Sequence, residues 1–403
     1  TRDMSRSGSA TVAKTSSVKT ANHKKPITHL PIDIEYIKSV LVTLLNIASP
    51  SGYSDQVVHF VGETLETFGV PFNVTRRGSI RATLPGKANG SDRAIAVHLD
   101  TLGAMVSGLK ENGRLQLAPI GHWSSRFAEG ARVTIFADNN PLRGTVLTLK
   151  ASGHVYNDEI DTQPVSWDQL EVRIDECVQN RDEAEAIGIH VGDFVAFDAT
   201  PEITDSGYIN ARHLDDKAGV AVLLGVIKAI QENRIELPVE CHFYFTIFEE
   251  VGLGASSGLY SDISEMVVLD IAPLAEIQNG CEFGATICMM DQSGPYDYHL
   301  NRKLVKLCED SQLAYSRDIF KYYRSDSASV IEAGNDTRTA LIGFGLDGSH
   351  GYERVHVDSL MTTAQLLSHY IQSSPTFDRD KDEIASLEGF PHQPTRDTIQ
   401  IKT

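Results

Sequence analysis

The stretch Ala211-Arg-His-Leu-Asp-Asp-Lys217 places two adjacent carboxylates where an extended segment runs into an apolar helix. Burying that much negative charge is costly unless a positive group meets it. After it, Val220, Leu223, Leu224, Ile227 and Ile230 recur at helical spacing, which predicts an amphipathic helix with Asp215 and Asp216 at its entrance. Strand-like runs on either side end in the same chemistry. Arg93 to Leu99 is almost continuously apolar, as in a strand buried on both faces, and closes with His98-Leu-Asp100. Val239 to Phe248 alternates around Cys241, Phe243, Phe245 and Ile247 and terminates in Glu249-Glu250. Met266 to Leu269 ends in Asp270, and Thr337 to Gly345 precedes a loop containing His350. In open α/β sheets ligands bind outside the carboxyl ends of the strands, so these endings point to one site. The predicted fold is α/β, with a mixed central sheet and helices on both faces.

The rest of the chain fits around that sheet. Ile34, Ile37, Val40, Leu41, Leu44 and Leu45 predict a helix behind an Asp33 cap, and Val57 to Phe68 a second one closed by Gly69. Residues 102–207 have a different texture, with short β-like runs at Leu115–Pro119, Arg132–Phe136, Gly144–Leu149, Leu170–Ile174 and Asp193–Phe197 between Gly, Asn and Asp turns. They predict a small β-rich barrel or sandwich inserted into a catalytic domain made of residues 31–101 and 208–373. Within the insert, His122, Trp123 and His154 are candidates for a pocket rim. Residues 1–30 read as a disordered arm, and residues 374–403 as a polar tail on the surface or disordered.

Composition excludes several classes of function. A net charge of -18 does not suit phosphate binding, so no nucleic-acid partner is expected. No apolar run approaches a membrane span, and the Ser/Thr/Lys-rich start lacks the apolar core of a secretory signal. Five scattered cysteines, without a Cys-x-x-Cys pair, argue against a disulfide framework and a zinc knuckle and fit a reducing cytoplasm. The sequons at Asn73, Asn89 and Asn335 are then chance matches. Gly252, Gly254 and Gly258 do not make a dinucleotide fingerprint, and no Gly-x-Ser-x-Gly elbow follows a strand. Adjacent Glu249 and Glu250 do not straddle a sugar bond as glycosidase carboxylates do.

Residues two apart on a strand point the same way, so the Asp100 carboxylate can reach the His98 ring, as a carboxylate does behind a metal-binding histidine. Alone, the motif reads more readily as a core histidine at a strand end. Glu249 and Glu250 can share a site only if the chain turns there, and Val251-Gly-Leu-Gly254 supplies that freedom. Asp326 reads either as a helix N-cap or as an acidic receptor for a substrate ammonium.

Taken in order and spacing, the motifs Ser49-Pro-Ser-Gly-Tyr53, His98-Leu-Asp100, Gly121-His-Trp123, Leu214-Asp-Asp-Lys217 with Ala218-Gly219, Glu249-Glu-Val-Gly252, Asp270, Ser325-Asp326 and Ser349-His350 with Glu353 are specific. Over residues 33 to 370 the chain resembles the M42 metallo-aminopeptidases, the group of glutamyl and tetrahedral aminopeptidases. The resemblance implies that His98, Asp215 and Asp270 hold one metal ion and that Asp215, Glu250 and His350 hold another, with Asp215 bridging. It also implies that Asp100 orients His98, that Glu249 is the general base, that the Asp215-Asp216 peptide is cis, and that the β-rich insert is a dimerisation domain of a homo-oligomer. Gly343-Phe-Gly-Leu-Asp-Gly-Ser349 departs from the family in lacking the proline and the Arg-Tyr pair usual ahead of that histidine.

Mixed imidazole and carboxylate ligands suit zinc or cobalt, with manganese possible, and not magnesium or calcium. Three ligand carboxylates against two divalent ions leave one positive charge, which a bridging hydroxide would cancel. The expected reaction is hydrolysis of the N-terminal peptide bond of short peptides. The alternative is an amidohydrolase or deacylase acting on small acylated dipeptides or related osmolyte-like compounds.

Overall fold

The computed structural model describes residues 26–259 and 262–395. The first helix, Ile34–Leu45, starts where Asp33 accepts a hydrogen bond from the Tyr36 amide, and its apolar stripe turns inward. Asp55–Thr67 follows, closed by Gly69 at a φ of 68°.

Four strands, Leu237–Thr246, Gly86–His98, Ile263–Pro273 and Arg338–Asp347, lie side by side in that order and run parallel. Ile80–Leu84 flanks them antiparallel on one side and Glu353–His356 on the other, within a mixed sheet of twelve strands among the described residues. The period of two divides each central strand between two cores. Ile95, Val97, Phe243, Phe245, Val267 and Leu269 join the larger core, whereas Ala94, Ala96, Tyr244, Met266 and Val268 join the smaller core on the opposite face. Helices Ile34–Leu45, Leu214–Glu232, Tyr298–Ser311 and Val357–Gln372 contribute to the larger core, and Asp326–Glu332 packs on the smaller.

The helix Leu214–Glu232 differs from its sequence reading. Every residue from Leu214 to Ile227 is buried, because the helix lies between the sheet and helices Ile34–Leu45 and Val357–Gln372. From Ala218 to Ile227 it is apolar all round, not amphipathic. The charged entrance is therefore buried as well: the Lys217 ammonium donates to the carbonyls of Leu44, at 2.8 Å, and Ile47, and burial pulls it down to about 7.

The β-rich segment closes into a six-stranded barrel. Gly103–Leu109, Leu115–Ile120, Leu170–Ile174, Pro141–Thr148, Arg132–Phe136 and Phe194–Phe197 follow one another around it, and the last pairs back to the first. Its own core includes Val106, Leu115, Val133, Ile135, Val146 and Val172. Tyr53 stacks on Phe136 of the barrel at 4.3 Å between ring centroids.

The disordered-arm reading needs correction where residues are described, and residues 374–395 lie at the surface. Residues 1–25 of the expected arm lie outside the described residues. Thr28 exchanges two hydrogen bonds with the Gln372 side chain, and Leu30 is fully buried, so the arm's end is tied down. At the other terminus, the Thr376 amide donates to Glu265 at 3.3 Å and Arg338 reaches Asp380 at 2.7 Å. A buried carboxylate and an arginine thus hold the start of the polar tail, although residues 396–403 lie outside the description.

Candidate metal centre

The parallel strands end together on one side of the sheet, where His98 pairs in register with Thr246 and Asp270 with Gly343. His98 is the last residue of its strand. Asp270 lies inside Ile263–Pro273 rather than at its end, and its carboxylate accepts from the Ile271 amide at 2.6 Å. Glu249 and Glu250 occupy a single 3-10 turn, Glu249–Val251, which lets both carboxylates face one site. Gly252 leaves that turn at a φ of 79°, and a Cβ at Gly254 would meet Asp326 Oδ1 at 2.1 Å. These glycines serve the turn and the packing around Asp326.

Asp215 stands at the centre. Its Oδ1 is 3.0 Å from His98 Nε2 and its Oδ2 is 3.2 Å from His350 Nε2, so each oxygen faces a different imidazole. His98 Nε2 is also 3.5 Å from Glu249 and 4.0 Å from Asp270, and His350 Nε2 is 3.5 Å from Glu250. The peptide bond between Asp215 and Asp216 is cis. The structure thus brings together all seven residues singled out in the sequence: His98, Asp100, Asp215, Glu249, Glu250, Asp270 and His350.

Backbone atoms hold both imidazoles from behind. His98 Nδ1 lies 2.9 Å from the Asp100 carbonyl, and His350 Nδ1 lies 2.7 Å from the His122 carbonyl. Nδ1–H groups donating there leave the Nε2 lone pairs facing inward, the arrangement of metal-binding histidines. The expected contact between the Asp100 carboxylate and His98 is only the weaker one, at 3.6 Å. That carboxylate instead accepts from the Glu249 amide (3.1 Å), the Glu250 amide (3.2 Å) and the Ser51 hydroxyl (2.5 Å), so it fixes the glutamate turn.

Glu353 has a role that side-chain pattern did not reveal. Its two oxygens accept from the amides of Asp215 (3.2 Å) and His350 (3.1 Å), joining the middle of the site to its far wall. His350 has a φ of 64° and is held there by this bond and by His122. Asp326 is neither a cap nor an open receptor. Ser325 caps the helix, and the buried Asp326 carboxylate accepts from Thr246 (2.6 Å) and the Ala255 amide (2.8 Å). His122 lines the cleft, Trp123 packs on the barrel core and also lines a small pocket beside Asp215, Glu250 and His350, and His154 is exposed and lines neither.

The electrostatics call for cations. Burial pushes the carboxyls of Glu249, Glu250, Asp270 and Asp216 well above their ordinary range, and neighbouring carboxylates add to the push. Asp215 moves the other way: burial would raise it, but its bonds to His350 and His98 hold it low. Burial would lower the imidazoles, but the surrounding carboxylates hold His98 well above its usual value and His350 up to about 10. Glu250 Oε1 is buried without a hydrogen-bond partner. Two inward imidazole nitrogens, a central carboxylate with divided oxygens and an orphaned carboxylate oxygen fit a pair of divalent cations.

A cleft of about 830 Å³ opens over this centre. Ile277, Gln278, Phe320, Tyr322, Tyr323 and His122 are among its walls. Asp318 fastens one wall, accepting from the Gln278 side chain (3.0 Å) and the Asn279 amide (2.9 Å). Among the described residues, no helix is long and apolar enough to cross a membrane.

A family model described as M42 glutamyl aminopeptidase matches residues 78–366. The protein named "Putative aminopeptidase YhfE" from Bacillus subtilis (strain 168) is 40% identical over 331 residues, covering 82% of this chain and 95% of that protein. The crystal structure of a TET aminopeptidase from a marine sediment archaeon, Thaumarchaeota archaeon SCGC AB-539-E09, superposes with a TM-score of 0.76 at 19% identity, covering 83% of this chain and 96% of that one. The Pyrococcus horikoshii TET1 peptidase, described as assembling into a tetrahedron or a large octahedral shell, gives 0.74 at 21% identity, covering 83% and 99%.

Proposed function

Because the chain belongs to the M42 glutamyl aminopeptidase family, we propose that it removes N-terminal residues from short peptides at a centre of two divalent cations. The observation that carries this reading is Asp215, whose oxygens each face a separate histidine, at 3.0 and 3.2 Å. His98, Asp215 and Asp270 would hold one cation and Asp215, Glu250 and His350 the other. Zinc or cobalt suits these donors best, with manganese possible. When bound, such ions supply Lewis acidity that polarises the scissile carbonyl and acidifies a water.

The chain's own residues do the rest. Glu249 takes a proton from the attacking water and delivers it to the leaving amine nitrogen, which requires a carboxylate beside the ions but outside their ligand set. Asp100 positions Glu249 and Glu250 through their amides, and Glu353 positions Asp215 and His350 in the same way. The cleft encloses the substrate ahead of the bond to be broken.

A matched pair of short peptides, one with a free amino terminus and one acetylated, tests the reaction in the presence of zinc or cobalt. Cleavage of the free form alone is the expected result. Cleavage of the acetylated form alone would make the protein a deacylase on the same centre and overturn the aminopeptidase reading.

The same proposal divides the chain into a catalytic unit, residues 31–101 and 208–373, and the inserted barrel, residues 102–207, as the dimer-forming unit of a homo-oligomer. The assemblies described for the Pyrococcus horikoshii TET1 peptidase support it. Light scattering behind size exclusion should give a multiple of the 44.2 kDa chain, and a monomer would count against it. The five free cysteines are in keeping with a cytoplasmic location, which cell fractionation checks.

A further inference from the structure

The strands that carry the metal centre at one end carry a second cluster at the other. Asp92 lies on the Gly86–His98 strand, His242 on Leu237–Thr246, and Asp262 immediately before Ile263–Pro273. One ligand atom from each of the three lies within 4.8 Å of the others. From Asp92 to His98 the strand rises about 20 Å, so this cluster shares nothing with the catalytic centre.

We propose that Asp92, His242 and Asp262, with Glu240 as a further donor, form an additional divalent-cation site that ties the three strands together. His242 Nε2 is 3.4 Å from Asp92 Oδ2 and 3.4 Å from Glu240 Oε1. Its Nδ1 lies 3.0 Å from the Thr83 hydroxyl on the adjoining strand. An Nδ1–H donating to Thr83 turns the Nε2 lone pair toward the carboxylates and fixes the ring.

Two observations indicate that a positive charge belongs here. Asp92 is 4% exposed, and its Oδ1 is buried with no hydrogen-bond donor among the described residues while its carboxyl lies against that of Asp262. Arg81, a cation that acts on His242, directs its Nη1 to the Gly258 carbonyl at 2.9 Å. Neutral imidazole with two or three carboxylates is a donor set for zinc or manganese rather than magnesium. Asp262 is exposed, which gives an ion a way in.

The site is structural by position. It would join strands whose opposite ends lead to His98, Glu249 and Asp270, without touching substrate.

The test uses crystals of the full chain grown with zinc and an anomalous difference map. A peak among Asp92, His242 Nε2 and Asp262, in addition to density at the catalytic centre, is the expected result. Zinc at the catalytic centre without a peak there overturns the proposal. In solution, a His98→Ala/His350→Ala variant should still bind one zinc equivalent. Adding Thr83→Val to it should weaken that binding by about 10- to 100-fold, as loss of an orienting partner does. Adding Asp92→Asn should abolish it while raising the melting temperature of the EDTA-treated protein, because a buried carboxyl pair is removed. Zinc affinity unchanged by Asp92→Asn refutes the site, and if that variant does not fold, the wild-type map decides.

Discussion

Glu249→Gln is expected to lower peptide hydrolysis by about 2 to 4 powers of ten, the range for loss of a general base, while leaving the metal content unchanged. The Glu249 amide donates to Asp100 at 3.1 Å whatever the side chain, so the 3-10 turn survives the substitution. Glutamine has nearly the same volume and stays in place, but it cannot accept the proton from the attacking water or return it to the leaving amine. Glu250→Gln, one residue along, should behave differently. Glu250 sits 3.5 Å from His350 Nε2 and carries the buried, unpartnered oxygen, so its loss should show first in metal content. Elemental analysis and kcat/KM on one free-amino peptide separate the two. A Glu249→Gln enzyme that still turns over at near the parent rate would remove Glu249 from its proposed role.

The central strands were legible because burial on both faces writes itself as continuous apolar sequence. Ile95 and Val97 serve one core while Ala94 and Ala96 serve the other, and no polar residue interrupts them until His98. Ends of that kind made His98, Glu249, Glu250 and His350 visible before any coordinates. The barrel strand Gly103–Leu109 escaped notice because two glycines and a serine dilute its alternation. Three site features were hidden for a different reason: they act through backbone atoms. The Asp100 carbonyl behind His98, the His122 carbonyl behind His350 and the Glu353 bonds to two amides leave no side-chain spacing to read. Asp326 misled in the opposite direction. Its place beside a helix start looks like a cap, but Ser325 takes that position and the carboxylate turns inward to Thr246 and Ala255.

Asp215→Asn carries the other large expected effect, and it separates the two neighbouring aspartates. Asp216 is also near His98 and Asp270, and by proximity alone it too could bridge. Its Oδ2, however, accepts the His98 amide at 3.1 Å, which turns that carboxylate toward the strand backbone. Asp215 has both oxygens committed to imidazoles on opposite sides of the site, and only a carboxylate can present two equivalent anionic donors in that way. An asparagine at 215 would offer one oxygen and a nitrogen bearing hydrogens, so one of the two inward histidines loses its shared partner. Both metal affinity and hydrolysis should fall by more than the roughly 10- to 100-fold that follows loss of an outer partner. Glu353→Gln, which disturbs the amides of Asp215 and His350 but leaves their ligand atoms in place, gives that smaller loss for comparison on the same protein. Metal titration of Asp215→Asn and Asp216→Asn side by side decides the matter. Full metal content in the first and loss in the second would move the bridge to Asp216, whereas the reverse order follows from the divided oxygens of Asp215.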